Sequence, residues 1–214
     1  MSFTALRGAV SRSLPLAGCL TLLGGQPAMA AGGGVGGVYV SGQPVLGDRL
    51  FGVSVSTWPR AGQGGGLAFS TDSSILLGGQ NRIHMDYTAS LGLALPRLGL
   101  LQASVNVGAT GMMGTALNQQ VIMAGRRVTN FGDSYLVANL PVSAWLILPV
   151  GAGTGLALMG RYSPQILPWG ATNSMSNSHT ALGGYLNIGG ISLGLVHQVG
   201  GLQDGTTVRL GIGG

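Results

Sequence analysis

The chain has 214 residues, among them 41 glycines, ten arginines, five aspartates and neither lysine nor glutamate, giving a formal charge of +5. Charged residues make up 7 % of the sequence, far below the roughly 25 % of ordinary globular domains, so the usual solubilising surface is missing and contact with lipid or self-association suits the composition better. Only Arg126 and Arg127 are adjacent arginines, and this scatter argues against nucleic-acid binding, which needs clustered basic residues.

Residues 1–30 read as a signal peptide, with Arg7 and Arg12 supplying positive charge, Leu14 to Leu23 an apolar stretch and Ala28-Met29-Ala30 an A-x-A cleavage pattern. A competing pattern, Leu16-Ala17-Gly18-Cys19, has the form of a lipobox, but the six residues between Arg12 and Cys19 are too few for an apolar region of 7 to 15 residues. Cleavage after Ala30 removes the only cysteine, and with it any disulfide, thiolate nucleophile or cysteine metal site. Residues 31–37 form a glycine tract, expected to be flexible. Its G-x-G-x-x-G match at Gly32, Gly34 and Gly37 has no preceding strand and no following helix pattern, and a Walker A loop is excluded by the absence of lysine.

Residues 38–214 are expected to form one β domain. Candidate strands fall at 38–43, 49–57, 66–71, 74–79, 82–95, 99–111, 119–124, 133–148, 154–163, 180–189, 191–199 and 206–213, separated by Gly, Pro, Asn and Asp clusters that favour turns. Some short early pieces read as halves of bent strands or as loops, which leaves 8 to 12 strands with an even count. Two-residue alternation is clearest in 83–91 and 101–110. It assigns Arg82, His84, Asp86, Thr88 and Ser90 to one face and Ile83, Met85, Tyr87, Ala89 and Leu91 to the other. The same rule places Gln102, Ser104, Asn106 and Thr110 on the polar face, and sets Arg161 and Arg209 among apolar neighbours of opposite parity.

No apolar run after Ala30 reaches the 18 residues of a transmembrane helix. The longest candidate, Leu136 to Val150, contains Pro141 and Pro149 and reads as one long strand. Gly189-Gly190 between two apolar-periodic runs predicts a hairpin turn, and Trp169 to Ser178 reads as the longest polar loop. Tyr135, Trp145, Tyr162, Trp169 and Tyr185 lie near predicted strand ends, where a membrane barrel carries its aromatic girdles.

The signal peptide, alternation and turn content of 38–214 resemble a small Gram-negative outer-membrane β-barrel protein. Asn130-Phe131-Gly132-Asp133-Ser134-Tyr135-Leu136 is also similar to the Gly-Asp turn before a strand in barrels of the phenol-degradation-pathway transporter type. The chain ends Leu210-Gly211-Ile212-Gly213-Gly214, without the terminal aromatic residue common in such proteins. The expected fold is all-β, an antiparallel up-and-down transmembrane barrel in the outer membrane. Its expected role is that of a structural protein or narrow passive pore lined by Arg82, His84, Asp86, Gln102, Ser104, Asn106, Arg161 and Arg209.

Chemistry is weighed against that lining role. His84 with Asp86 is the orienting half of a general-base arrangement, and Ser104 on the neighbouring strand would supply a nucleophile; an ion-paired lumen is the simpler reading. Ser178-His179 is superficially similar to the sites of outer-membrane lipid hydrolases, but the order departs from His-x-Ser and no catalytic residue is assigned. His84, His179 and His197 lack metal-ligand spacing. The expectation is a non-enzyme without cofactor or metal, its partners outer-membrane lipid and small solutes, with self-association as a further property. The alternative is an exported glycine-rich β protein assembling at the cell surface or in the matrix through edge-to-edge pairing; a barrel lipid hydrolase ranks third.

Overall fold

A computed structural model describes residues 36–79, 82–115, 120–123, 126–129, 134–151, 154–170 and 176–213. The expected signal peptide, Cys19 and residues 31–35 of the glycine tract lie outside the described residues, as do residues 171–175 of the expected Trp169 to Ser178 loop, whose first two residues instead end a strand. Fourteen strands follow in chain order: β1 (Gly36–Val45), β2 (Asp48–Thr57), β3 (Gly66–Gly78), β4 (Arg82–Ala94), β5 (Gln102–Thr115), β6 (Gln120–Met123), β7 (Arg126–Thr129), β8 (Ser134–Asn139), β9 (Val142–Gly151), β10 (Thr154–Ser163), β11 (Gln165–Gly170), β12 (His179–Ile188), β13 (Ile191–Val199) and β14 (Gly205–Gly213).

Every pairing is antiparallel, and the sheet closes on itself. β1 pairs with both β2 and β14, and β5 pairs with β4 on one side and with β8 and β9 on the other. Residues 134–151 act as one barrel stave: Thr110 faces Asn139 and Val107 faces Val142 in unbroken register across Pro141, whose carbonyl accepts the Gly108 amide at 2.9 Å. β10 and β11 likewise share a stave, pairing with β9 and β8 in turn. The result is an all-β antiparallel barrel of ten staves. β6 and β7 form a separate two-stranded hairpin in the connection between β5 and β8.

Two sequence expectations change here. Segments 66–71 and 74–79 are one strand, β3, running unbroken against β2 and β4. The polar run Ser70 to Ser74 interrupts the apolar pattern without interrupting the backbone. Gly36 and Gly37, expected in a flexible tract, belong to β1 and pair with Thr57 and Ser56. The predicted Gly189-Gly190 turn joins β12 to β13.

Alternation now has a physical meaning. Side chains at one parity are buried inside the barrel, including Ser41, Ser54, Ser74, His84, Asn106, Asn139, Asn187 and Arg209. Side chains at the other parity are large, apolar and exposed: Val40, Phe51, Leu91, Val107, Leu158, Leu182, Leu195 and Leu210 are among them, and they come from staves all round the barrel. A water-soluble protein buries its apolar face; this barrel wears it outside.

Candidate functional site

The interior is built in three layers. The upper end carries the β1–β2 turn and the 200–204 connection between β13 and β14; the lower end carries the β12–β13 turn, the start of β1 and the end of β14.

At the lower end the lumen is filled by aromatic side chains. Tyr39, Trp58, Trp145 and Tyr185 form one buried cluster with Ile147 and Met159. The rings of Trp58 and Trp145 lie 5.9 and 6.1 Å from that of Tyr185. The β2–β3 loop closes this end from below, its Ala61 amide donating to Gln102 Oε1 at 3.2 Å while Gln102 Nε2 donates to the Gly62 carbonyl. In the same loop, partial burial and then the neighbouring Arg97 hold Arg60 below its ordinary value.

The middle layer is charged. Arg209 on β14 meets Asp72 on β3 through two contacts, at 2.7 and 3.2 Å. Two small cavities, each with room for about one water molecule, share Asp72, Thr88 and Arg161 in their walls. The upper of the two is lined by Asp72, Asp86, Arg161 and Arg209, so two carboxylates balance two guanidiniums in one small space. That balance is what lets a narrow barrel hold charge inside it.

The upper layer centres on His84. Its Nδ1 lies 2.5 Å from the Tyr135 hydroxyl, and its Nε2 lies 2.8 Å from Gln203 Nε2 and 3.3 Å from Asp86 Oδ2. Gln203 Nε2 also donates to Asp86 Oδ2 at 3.0 Å, and Ser74 Oγ donates to the same oxygen at 2.5 Å. Gln203 belongs to the 200–204 connection, which folds into the barrel mouth and buries Leu202 beside Met112, Tyr135 and Val137. Asn177 locks the loop from the other side: its Oδ1 accepts the Leu202 amide at 2.8 Å, and its Nδ2 donates to Asn139 Oδ1 at 2.9 Å. Arg82 forms an ion pair with Asp48 at the rim.

Arg82, His84, Gln102, Ser104, Asn106 and Arg209 are buried on the inward parity, and Asp86 and Arg161 line the upper cavity. They do not form one site. His84 is opposite Gly114 whereas Ser104 is opposite Ala94, a ten-residue offset in register that amounts to about 33 Å of strand. Ser104 therefore cannot complete a nucleophilic group with His84; the serine that reaches this cluster, Ser74, binds the carboxylate instead. His179 is buried with its Nδ1 on the Asn177 carbonyl, while His197 is exposed and bonded to Thr206 Oγ1 at 3.0 Å. Among the described residues no group of three potential metal ligands comes together.

The aromatic girdle expectation is corrected for three residues. Tyr135, Trp145 and Tyr185 are buried in the lumen, because their positions fall on the inward parity of their strands; Tyr162 is exposed on the outer surface. The Trp169 side chain lies outside the described residues. Sequence reasoning also missed Asp48, Asp72, Tyr135 and Gln203 as partners of the inward cations and His84. Aspartate at inward parity in Asp72 was the one available signal.

The architecture defines a closed ten-stave β-barrel with an apolar exterior, compatible with an outer-membrane barrel protein. Comparisons with protein-family models, with curated proteins and with solved structures returned no match.

Proposed function

We propose that this protein is an outer-membrane β-barrel with a structural role, its lumen occupied at rest by its own side chains. The observation that carries this reading is the reversal of polarity across the wall: buried serine, asparagine, histidine and arginine inside, exposed leucine, valine and isoleucine outside. Covering one such leucine with lipid is worth roughly 2 kcal/mol relative to leaving it in water, and the exposed set extends around the circumference. The strand lengths suit a bilayer, since β3, β4 and β5 have 13, 13 and 14 residues and about 9–11 in a tilted strand are enough to cross one. Closure satisfies backbone groups that could not face hydrocarbon unpaired.

The longest connection, between β5 and β8, leaves from the upper end, as does the 200–204 loop. Outer-membrane barrels direct their longer loops outward and their short turns to the periplasm, which orients the upper end to the cell exterior. The filled interior favours the structural role over a permanently open passage. Closure also weighs against edge-to-edge assembly, because a closed barrel offers no free strand edge.

The test is cell fractionation, with boiled and unboiled outer-membrane samples run side by side. A heat-dependent mobility shift in that fraction supports the proposal, and recovery in periplasm or medium without a shift refutes it.

A further inference from the structure

The amide of Gln203 is held by a pair of acceptors whose character depends on one proton. Gln203 Nε2 lies 2.8 Å from His84 Nε2 and 3.0 Å from Asp86 Oδ2, so its two hydrogens are both used when the imidazole is neutral and its Nε2 carries a lone pair. The remaining imidazole hydrogen then sits on Nδ1 and is donated to the Tyr135 oxygen at 2.5 Å. Protonating His84 turns Nε2 from acceptor into donor. Two donors would then face each other at 2.8 Å, while Asp86 Oδ2, only 3.3 Å from Nε2, becomes the imidazolium's own partner. Asp86 and Gln203 compete for one ring nitrogen, and the proton decides which wins.

Gln203 also belongs to a short glycine-bracketed segment at the barrel mouth. Gly200, Gly201 and Gly205 bracket it with φ of +83°, +75° and +123°, conformations that only glycine adopts without strain. Apart from Gln203, the loop is held by the Leu202 amide on Asn177 Oδ1, by the Leu202 carbonyl accepting from the Leu46 amide, by Gln198 Nε2 donating to the Gly200 carbonyl, and by the Leu202 side chain beside Met112, Tyr135 and Val137; within it the Gly200 amide donates to the Asp204 carboxylate at 3.0 Å. Beneath it lies the upper cavity, which Gln203 itself helps to line.

We infer that the 200–204 loop is a proton-sensitive latch over the barrel mouth, with Gln203 as the bolt and His84 as the sensor. In the closed state Gln203 bridges His84 and Asp86; imidazole protonation transfers Asp86 to His84, releases the amide and opens the upper cavity to the exterior. The charged and titratable groups around His84 come from several staves: Arg82 and Asp86 on β4, Tyr135 on β8, Arg209 on β14, and Arg161 and His179 across the cavity. Asp72, the remaining cavity carboxylate, is occupied by Arg209. His179 is the other imidazole near the loop, its ring nitrogen on the Asn177 carbonyl while Asn177 also holds the loop.

The experiment uses a cysteine beneath the latch, Gln43→Cys, in a buried position lining the upper cavity. Its labelling rate by a water-soluble methanethiosulfonate is measured on the folded barrel at about pH 7.5 and about pH 5, the second lying below the ordinary imidazole range and above that of carboxylates. Each rate is divided by that of the unfolded protein at the same pH, which removes the thiol's own titration. The latch predicts a normalised rate about tenfold or more higher at the lower pH, a flat and slow rate in His84→Gln, and a flat and fast rate in Gln203→Ala. A rate that does not change with pH in the parent overturns the proposal, as does a pH response that survives His84→Gln, which would place the sensor on another group. The inference deepens the outer-membrane reading but is separable from it: a heat-dependent gel shift reports barrel and fraction, and labelling reports only the loop.

Discussion

Arg209 and Asp72 lie 137 residues apart in sequence and meet inside the barrel through two parallel contacts, Nη1 to Oδ1 at 2.7 Å and Nη2 to Oδ2 at 3.2 Å. Their strands, β14 and β3, are separated around the wall by β1 and β2, so the pair ties staves that share no backbone hydrogen bond. Removing one partner of a buried pair leaves an uncompensated charge and costs about 3–5 kcal/mol. Asp72→Ala should lose that much in urea unfolding, whereas Asp72→Leu combined with Arg209→Leu should recover most of it. Equal losses in the single and double variants would count against a coupled pair.

At the seam where β14 meets β1, Gly211 has no room for a side chain. A Cβ there would stand 1.8 Å from the Val38 carbonyl oxygen and 2.7 Å from the Tyr39 Cα, both backbone atoms that cannot swing aside. Gly211→Val should therefore keep the barrel from closing, and the variant should migrate identically whether boiled or not. Gly47→Ala is the comparison: nothing lies within 4 Å of a Cβ there, but its φ of +85° strains a side chain locally, so the barrel should still close and the gel shift should remain.

The Trp58 indole is 1 % exposed and packs against Tyr185 at the lower end. Truncation to alanine should cost about 3–5 kcal/mol, in line with other buried large-to-small changes, measured by urea midpoint in a common lipid. The loss should be confined to stability, with the upper-end labelling pattern unchanged, because the indole lies at the far end of the lumen from the 200–204 loop.

Leu195 separates a lipid-facing wall from a water-facing one. Its side chain is 54 % exposed near the middle of β13, opposite Val208 and Gly184. Arginine on the lipid face near the midplane costs about 2–4 kcal/mol, while a surface substitution in water is usually within about 0.5 kcal/mol. Leu195→Arg should show the larger penalty when unfolding is followed in vesicles.

Much of this was legible in the sequence, for identifiable reasons. Alternation in 82–91 gave the inward parity of β4 directly, and His84 with Asp86 on one face followed from their spacing of two. Residues 133–148 read as one strand despite Pro141, and the unbroken register across Pro141 agrees. What the sequence hid was which side chains meet across the lumen. Tyr135 and Gln203 reach His84 from 51 and 119 residues away, and no local pattern encodes such contacts. The aromatics were misplaced because they were judged by nearness to strand ends rather than by parity. In residues 134–151 parity is hard to read, since Val137, Ile147 and Trp145 share the inward face with Asn139 and Ser143. β3 appeared as two pieces because Thr71 and Ser73 put hydroxyls on the face that is otherwise apolar.

The most direct test of the account is where the outer wall points in the cell envelope. Single spin labels at 192, 193, 194, 195 and 196, in a Cys19→Ser background and in isolated outer membrane, would report collision with oxygen, which concentrates in lipid, and with a water-soluble nickel chelate. The account predicts a period of two, with labels at Leu193 and Leu195 meeting oxygen strongly and the chelate weakly, and labels at Ser192, Gly194 and Val196 shielded from both. Labels at Leu193 and Leu195 that collide freely with the chelate would mean that the apolar wall faces water, and would contradict it.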